Sequence, residues 1–204
     1  MRHIILLAFI ALLGPLPLSA QSQVLPQGRT FSFSYYGDFL LHPGLKISYE
    51  HPLWVKEKVG KRSKMPKAHL VFAVADASFY VHPGTLTALQ LGGGAGYRKV
   101  GKKGSFFDFQ MALWLTHHIN AGKTISITDG QASNVSFLAG RRYLMPSFAM
   151  TFGRSLYPKK KIPLSWFVRP RFGLILPYNS GASILAPALE TGISWTFPSS
   201  TSNH

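Results

Sequence analysis

Cysteine is absent from the 204 residues. That excludes a disulfide framework, a thiolate metal site, a cysteine nucleophile and the acylated cysteine of a lipoprotein. Acids are scarce, seven against 22 lysines and arginines, for a formal net charge of +15. Although 46% of the chain is hydrophobic, no internal apolar run is long enough to cross a bilayer as a helix. No stretch has an amphipathic helical period. What is present is strand periodicity, over a length that suits one domain.

Residues 1–20 have the pattern of a secretory signal peptide. Arg2 gives the positive start, residues 4–13 the apolar core, and Gly14-Pro15-Leu16-Pro17 breaks the helix before Leu18-Ser19-Ala20. An uncleaved anchor is disfavoured because the apolar run is too short to span. Export is therefore expected, with 21–28 as a lead segment, 29–197 as the folded domain and 198–204 as a tail.

The last strand, 186–197, organises the rest. On one face lie Leu185, Pro187, Leu189, Thr191, Ile193, Trp195 and Phe197, with Thr191 the polar exception. The other face carries Ala186, Ala188, Glu190, Gly192, Ser194 and Thr196. Large apolar residues on one side and small or polar ones on the other, at a period of two, mark a strand of a membrane barrel. Seven further segments read as strands: 29–36, 45–53, 68–81, 87–99, 105–118, 141–155 and 164–176. The fifth alternates most cleanly, with Phe107, Phe109, Met111, Leu113 and Leu115 opposed to Asp108, Gln110, Ala112, Trp114 and Thr116. Eight strands of this length predict an all-β, antiparallel up-and-down transmembrane barrel. Gly92-Gly93-Gly94-Ala95-Gly96 is read as a tightly curved strand; no helix or Lys-Ser/Thr pair follows to make it a phosphate loop.

Three features strain this scheme. Pro146, Pro170 and Pro187 fall inside strands, where each removes a ladder donor. Asp76 follows Leu70, Phe72 and Val74 on what reads as an apolar face, so a bulge or phase change is expected in the third strand. The first strand also has an open end, able to continue through Asp38 to Leu41.

Charge follows the turns. Connections 54–67, 99–104 and 157–163 hold 12 of the 22 basic residues and one acid, Glu57. The alternate connections, 37–44, 81–86, 119–140 and 177–183, hold Lys123, Asp38 and Asp129. Trp54, Tyr97, Phe107, Tyr157, Trp166, Trp195 and Phe197 all fall toward the lysine-rich end, as an interfacial girdle would. Basic turns with little aromatic interleaving disfavour nucleic acid; they suit solvated stops at the end of each strand, or contact with anionic lipid.

Glu190, Gly192, Trp195 and Phe197 resemble the C-terminal sorting signal of outer-membrane barrels: a polar residue, a glycine two later, then two large apolar residues. Residues 29–197 as a whole resemble the small eight-stranded outer-membrane β-barrel proteins of Gram-negative bacteria. With turns such as His42-Pro43-Gly44, Arg169-Pro170-Arg171 and Pro177-Tyr178-Asn179, they are most like the uncharacterised outer-membrane barrels of Bacteroidota. The resemblance implies periplasmic termini and lysine-rich turns, an outside long loop, outer-membrane lipid as surroundings, and periplasmic chaperones and the barrel-assembly machinery as partners during insertion. It implies no catalytic residue and no cofactor; a monomer is expected.

By alternation, Lys46, Glu50, Arg98, Asp108, Gln110, His118, Arg169, Arg171 and Glu190 face inward, where charges should pair. Counting from a hairpin centred near Ser180 sets Arg169 and Arg171 opposite Thr191 and Leu189, with Glu190 diagonal to both. The expected role is structural, adhesive or envelope-interacting, with a lumen filled by paired charges. Two rivals stand beside it. A lipid A-modifying enzyme would use His117 or His118, near Ser126, Asp129 and Ser133. A soluble lipocalin-like carrier would place its large apolar residues inside. His117 and His118 cannot share a metal ion, since neighbours on a strand point to opposite faces.

Overall fold

The structure, a computed structural model, describes residues 28–38, 42–59, 66–101, 103–122, 125–128, 131–134, 140–178 and 181–198. The expected signal peptide, the lead before Gly28 and the tail after Pro198 lie outside the described residues. So do Lys61, Arg62, Lys64, Lys102, Lys123 and Asp129.

Eight long strands close into one antiparallel barrel: β1 (Gly28–Asp38), β2 (Gly44–Val59), β3 (Pro66–His82), β4 (Leu86–Val100), β5 (Ser105–Asn120), β8 (Gly140–Ser155), β9 (Leu164–Tyr178) and β10 (Ala182–Pro198). Each pairs with its neighbour in sequence, β5 with β8, and β10 returns to β1. Between β5 and β8, β6 (Ile125–Thr128) and β7 (Gln131–Asn134) form a separate hairpin in what the sequence presents as one long loop. A single helical turn, α1 (Tyr157–Lys160), carries the chain from β8 to β9 and ends on Lys161 in the left-handed conformation.

The period of two decides the walls. Along β5 burial alternates almost without fault, Asp108, Gln110, Ala112, Trp114 and Thr116 inside and the five large apolar residues outside. Leu91 and Met111 on the outer wall are each 64% exposed, and the same face is apolar all round the barrel. An eight-stranded barrel is just wide enough inside for side chains to fill it.

Strand β3 corrects the sequence reading. Its pairing with β4 runs unbroken from Ala68 to His82, with no bulge at Asp76. Leu70, Phe72, Val74 and Asp76 all face inward, and the outer wall of β3 is made of small residues, Ala73, Ala75 and Ala77, below Phe79. The irregularity lies in β2, where the register steps between Pro52 and Trp54. Leu53 is the extra residue, next to a proline with no N–H to give the ladder. The step reverses the parity of β2: Trp54 turns outward and Val55 packs inward on Leu70, Phe72 and Val74.

The glycines of β4 explain how β3 can be bulky inside. A Cβ on Gly96 would sit 2.4 Å from the Phe72 ring, and one on Gly92 2.5 Å from the Trp114 ring. Gly92 and Gly96 are space for neighbouring aromatic rings, and Gly94 is space for the β5 backbone at Met111 and Ala112. Pro146 and Pro170 sit on the β8–β9 seam, and the ladder there lapses between Leu144 and Ser147 and again between Ala149 and Phe152. Pro187 stays in register with Phe172.

Candidate functional site: the charged interior

Three layers fill the barrel. Toward the lysine-rich end Ala68, Val100, Phe106 and Phe167 pack together. Toward the other end lie two groups, Ala112, Trp114, Tyr143, Met145 and Ile175, and Tyr36, Tyr80, Ala88 and Ala188. Between them is an ionic layer supplied by β2, β3, β4, β5, β9 and β10.

Glu190 is its hub. Lys46 Nζ donates to both carboxylate oxygens at 3.1 Å, Arg171 Nε to Oε1 at 2.7 Å, and Arg169 Nη1 to Oε2 at 3.4 Å. Lys46 also meets Asp76 at 3.3 Å, and Arg171 lies 3.9 Å from the same carboxylate. Arg169 reaches Glu50 at 3.6 Å, and Arg98 meets Glu50 at 2.9 Å. Arg98 then holds Asp108 with a two-pronged pair, Nε to Oδ1 at 2.8 Å and Nη2 to Oδ2 at 2.7 Å. The path Asp108–Arg98–Glu50–Arg169–Glu190–Arg171–Asp76 is therefore continuous, with Lys46 bridging Glu190 and Asp76.

Four cations face four carboxylates, all essentially buried. Their charges cancel, so the formal +15 of the chain resides wholly outside the network. Neutrality is what the interior demands, because a lone ion removed from water costs several kcal/mol, of the order of what breaking a buried pair exposes. Aromatic faces complete the cage. Arg171 and Lys46 lie 4.7 and 5.0 Å from the Trp114 ring centre, and Arg98 sits between Phe72 and Phe106 at 4.9 Å from each. Arg169 Nε donates to Thr151 Oγ1 at 2.7 Å and Arg171 Nη1 to Ser147 Oγ at 2.9 Å. Both bonds cross the β8–β9 seam where the prolines interrupt the ladder.

The structure thus brings Lys46, Glu50, Arg98, Asp108, Arg169, Arg171 and Glu190 into one cluster. It changes one contact: Glu190 stands directly opposite Arg169, and Arg171 opposite Ala188. The expected Arg169–Thr191 and Arg171–Leu189 pairings are one residue out, because a register step between Ala182 and Ile184 was not visible. Cross-strand partners share a face, so inward arginines cannot stand opposite outward Thr191 and Leu189. Sequence reasoning also missed Asp76, Ser147 and Thr151. The signal for Asp76 was its partner Ser48, on the same face as Lys46 and Glu50.

Of the sorting-signal residues, Glu190 and Gly192 are on the inner wall and Trp195 and Phe197 on the outer, paired with Phe31 and Arg29 of β1. His118 is buried with its ring 4.9 Å from Tyr143, which stacks on Tyr178; His117 lies on the outer wall, half-buried. Ser126 and Ser133 pair across the β6–β7 hairpin; Asp129 is outside the described residues. Among the described residues no group of three His, Asp or Glu is placed to hold a metal.

No protein-family model and no curated protein matches the sequence. Among solved structures, Neisserial surface protein A (NspA) aligns over 83% of this chain and 96% of that one, at 12% identity and a TM-score of 0.49. The beta domain of the Bordetella autotransporter BrkA aligns over 81% of this chain, at 15% identity and a TM-score of 0.37; it is covered over 66% of its own length, just under two thirds. At these values both are likenesses of chain course, with no residue role attached.

Proposed function

We propose that the chain is an integral outer-membrane barrel with a structural, adhesive or envelope-interaction role, that its lumen is closed by the paired charges, and that it has no catalytic residue. One observation carries the membrane placement: charge is buried within the barrel while large apolar residues cover the outside. In water that arrangement exposes a continuous apolar surface far beyond what a soluble monomer carries; in a bilayer it is the expected one. A lipocalin-like carrier would need an apolar hollow, where this barrel has an ionic layer between packed aromatic ones. The secretory pattern of residues 1–20 and the Trp195–Phe197 strand end support export and assembly by periplasmic chaperones and the barrel-assembly machinery. The likeness to Bacteroidota barrels rests on turn motifs alone and is part of the proposal.

Two measurements test it. The expressed protein should fractionate with outer membranes and migrate faster on gels before heating than after. A protease site inserted after Gly122 should be cut on intact cells, and one inserted after Lys160 only once the outer membrane is opened. Cutting at both sites on intact cells would mean a surface-attached soluble protein, and the opposite pattern would invert the topology. Phe197→Ala should lower the inserted level, since it removes an interfacial anchor of the terminal strand; unchanged levels would remove the sorting-signal argument.

A further inference from the structure

The outer wall is not uniformly bulky. On β2–β4 it sinks into two hollows, one above the other along the strands, of about 450 and 440 Å³. Their floor is Ala73, Ala75 and Ala77 of β3 with Gly93 and Ala95 of β4; Tyr49 and Leu113 flank the lower hollow, and Phe33 and Leu91 the upper. From Ala73 to Ala77 a strand rises about 13 Å, close to half the roughly 30 Å of a bilayer's hydrocarbon core.

His51 gives this groove a polar contact. It lines the lower hollow, is only 7% exposed, and its buried Nδ1 has no hydrogen-bond partner. A buried, unsatisfied ring nitrogen at an apolar wall is costly unless something brought to that wall bonds it. Arg29 on β1 lies at the same level, one residue beyond the Thr30–Glu50 pair. Farther toward the lysine-rich end, Trp54, Val71 and Tyr97 form one row across β2, β3 and β4; Lys56, His69 and Lys99 form the next, and Lys58 pairs with Lys67 beyond. The lysines are exposed, and His69 shares a hydrogen bond with Tyr97. Glu57, the acid of this segment, pairs with lumen-facing Ala68.

We infer that β2–β4 form a binding site for one anionic diacyl glycerophospholipid of the leaflet at the lysine-rich end. This inference rests on the membrane reading above. The three levels of the site match the three parts of that lipid. An acyl chain lies along Ala73, Ala75 and Ala77, the His51 ring turns its buried Nδ1 outward to donate to an ester carbonyl at the top of the chain, and the phosphate sits among Lys56, Lys99 and Arg29. A lysine's four-carbon stem covers much of the distance between the lysine row and His51. At the same end, Lys159 and Lys160 in α1 and Lys161 after it supply charge away from the alanine and glycine floor, so they separate charge from groove in the test.

The test uses the full barrel reconstituted in phosphatidylcholine vesicles with and without phosphatidylglycerol, with retained lipid counted by native mass spectrometry. The wild-type barrel should retain one phosphatidylglycerol in preference to phosphatidylcholine. Lys56→Gln with Lys99→Gln should weaken that retention roughly thirtyfold, from the attraction lost per lysine near an anionic surface. Ala75→Leu and His51→Phe should each reduce it, whereas Lys159→Gln with Lys160→Gln should not. Heat-modifiable mobility confirms that each variant is folded, and Ala75→Leu adds apolar surface facing lipid, so it should leave folding intact. Equal loss from both lysine pairs, no lipid preference in the inserted wild-type barrel, or the same response to inorganic phosphate alone would each overturn the site. A dimer abolished by Ala75→Leu would assign the groove to a second copy and overturn it too. Failure to enter vesicles at all would instead count against the membrane reading.

Discussion

The inner and outer walls of this barrel are made by the same eight strands, yet they obey opposite rules. Inside, identity matters residue by residue: Glu190 meets three cations, and Gly96 and Gly92 are the size of the rings they admit. Outside, apolar residues follow one another from Phe31 and Phe33 on β1 to Ile193 on β10, touching through rings such as Phe31 with Tyr49 and Phe197. The difference follows from the surroundings. A charge in a side-chain-filled interior must find its partner there, whereas outside the β2–β4 groove an outer residue has only to be apolar and to leave the ladder intact. Mutations should therefore divide by wall more than by residue type.

The largest effect is expected at the hub. Glu190→Ala leaves Lys46, Arg169 and Arg171 without their shared carboxylate, and breaking a buried ionic group from one side costs roughly 3–5 kcal/mol. Thermal or denaturant unfolding in detergent should show it. Replacing Arg169 and Arg171 together with Glu190 by apolar residues should recover part of the loss, because the uncompensated charge goes too. A neutral Glu190→Ala in both detergent and bilayers would mean that the interior is hydrated, and the two-wall contrast would collapse.

The packing of the inner wall comes next. Trp114 is fully buried, donates from Nε1 to Ser147 Oγ at 2.9 Å, and lies under Lys46 and Arg171. Trp114→Ala should cost about 3 kcal/mol, at the low end for a buried tryptophan because water can enter a polar hollow. Gly92→Ala should cost about 2 kcal/mol through overpacking against the same ring. Gly92→Ala with Trp114→Leu should cost less than the two losses added, and strict additivity would deny that the glycine makes room for the ring.

These contrasts also show what the sequence could reveal. Alternation placed seven strands with their walls the right way round, because the apolar face of β1 or β5 has no polar competitor. Strand β3 misled because Leu70, Phe72 and Val74 are apolar yet inward; their place depends on the glycines across β4, a volume match between strands that alternation does not encode. The bulge at Leu53 and the register step near Ser183 are likewise backbone events; Pro52 favours the first without fixing it, since Pro187 stays in register. Most members of the ionic layer were legible from parity. Their contacts were not, because a one-residue step exchanges a diagonal partner for a direct one, and the β6–β7 hairpin has too short a period to stand out.

The smallest effect gives the finest comparison, since it uses one residue type on both walls. Thr151 is fully buried and its Oγ1 accepts a 2.7 Å hydrogen bond from Arg169 Nε. Thr191 is the polar exception on the outer wall of β10, and its hydroxyl donates only weakly, at 3.4 Å, to the carbonyl of Phe167. Valine has nearly the shape of threonine, so Thr→Val removes the hydroxyl and little else. Inside, it leaves a charged donor unsatisfied on a seam whose ladder is already interrupted, and about 2 kcal/mol should be lost. Outside, a long hydrogen bond is exchanged for a methyl group facing lipid, and the change should stay within about 0.5 kcal/mol of zero. Chemical unfolding from phospholipid vesicles measures both on one scale. Equal losses at the two positions would show that the outer wall, too, depends on specific polar contacts, and that lipid is not what Thr191 faces.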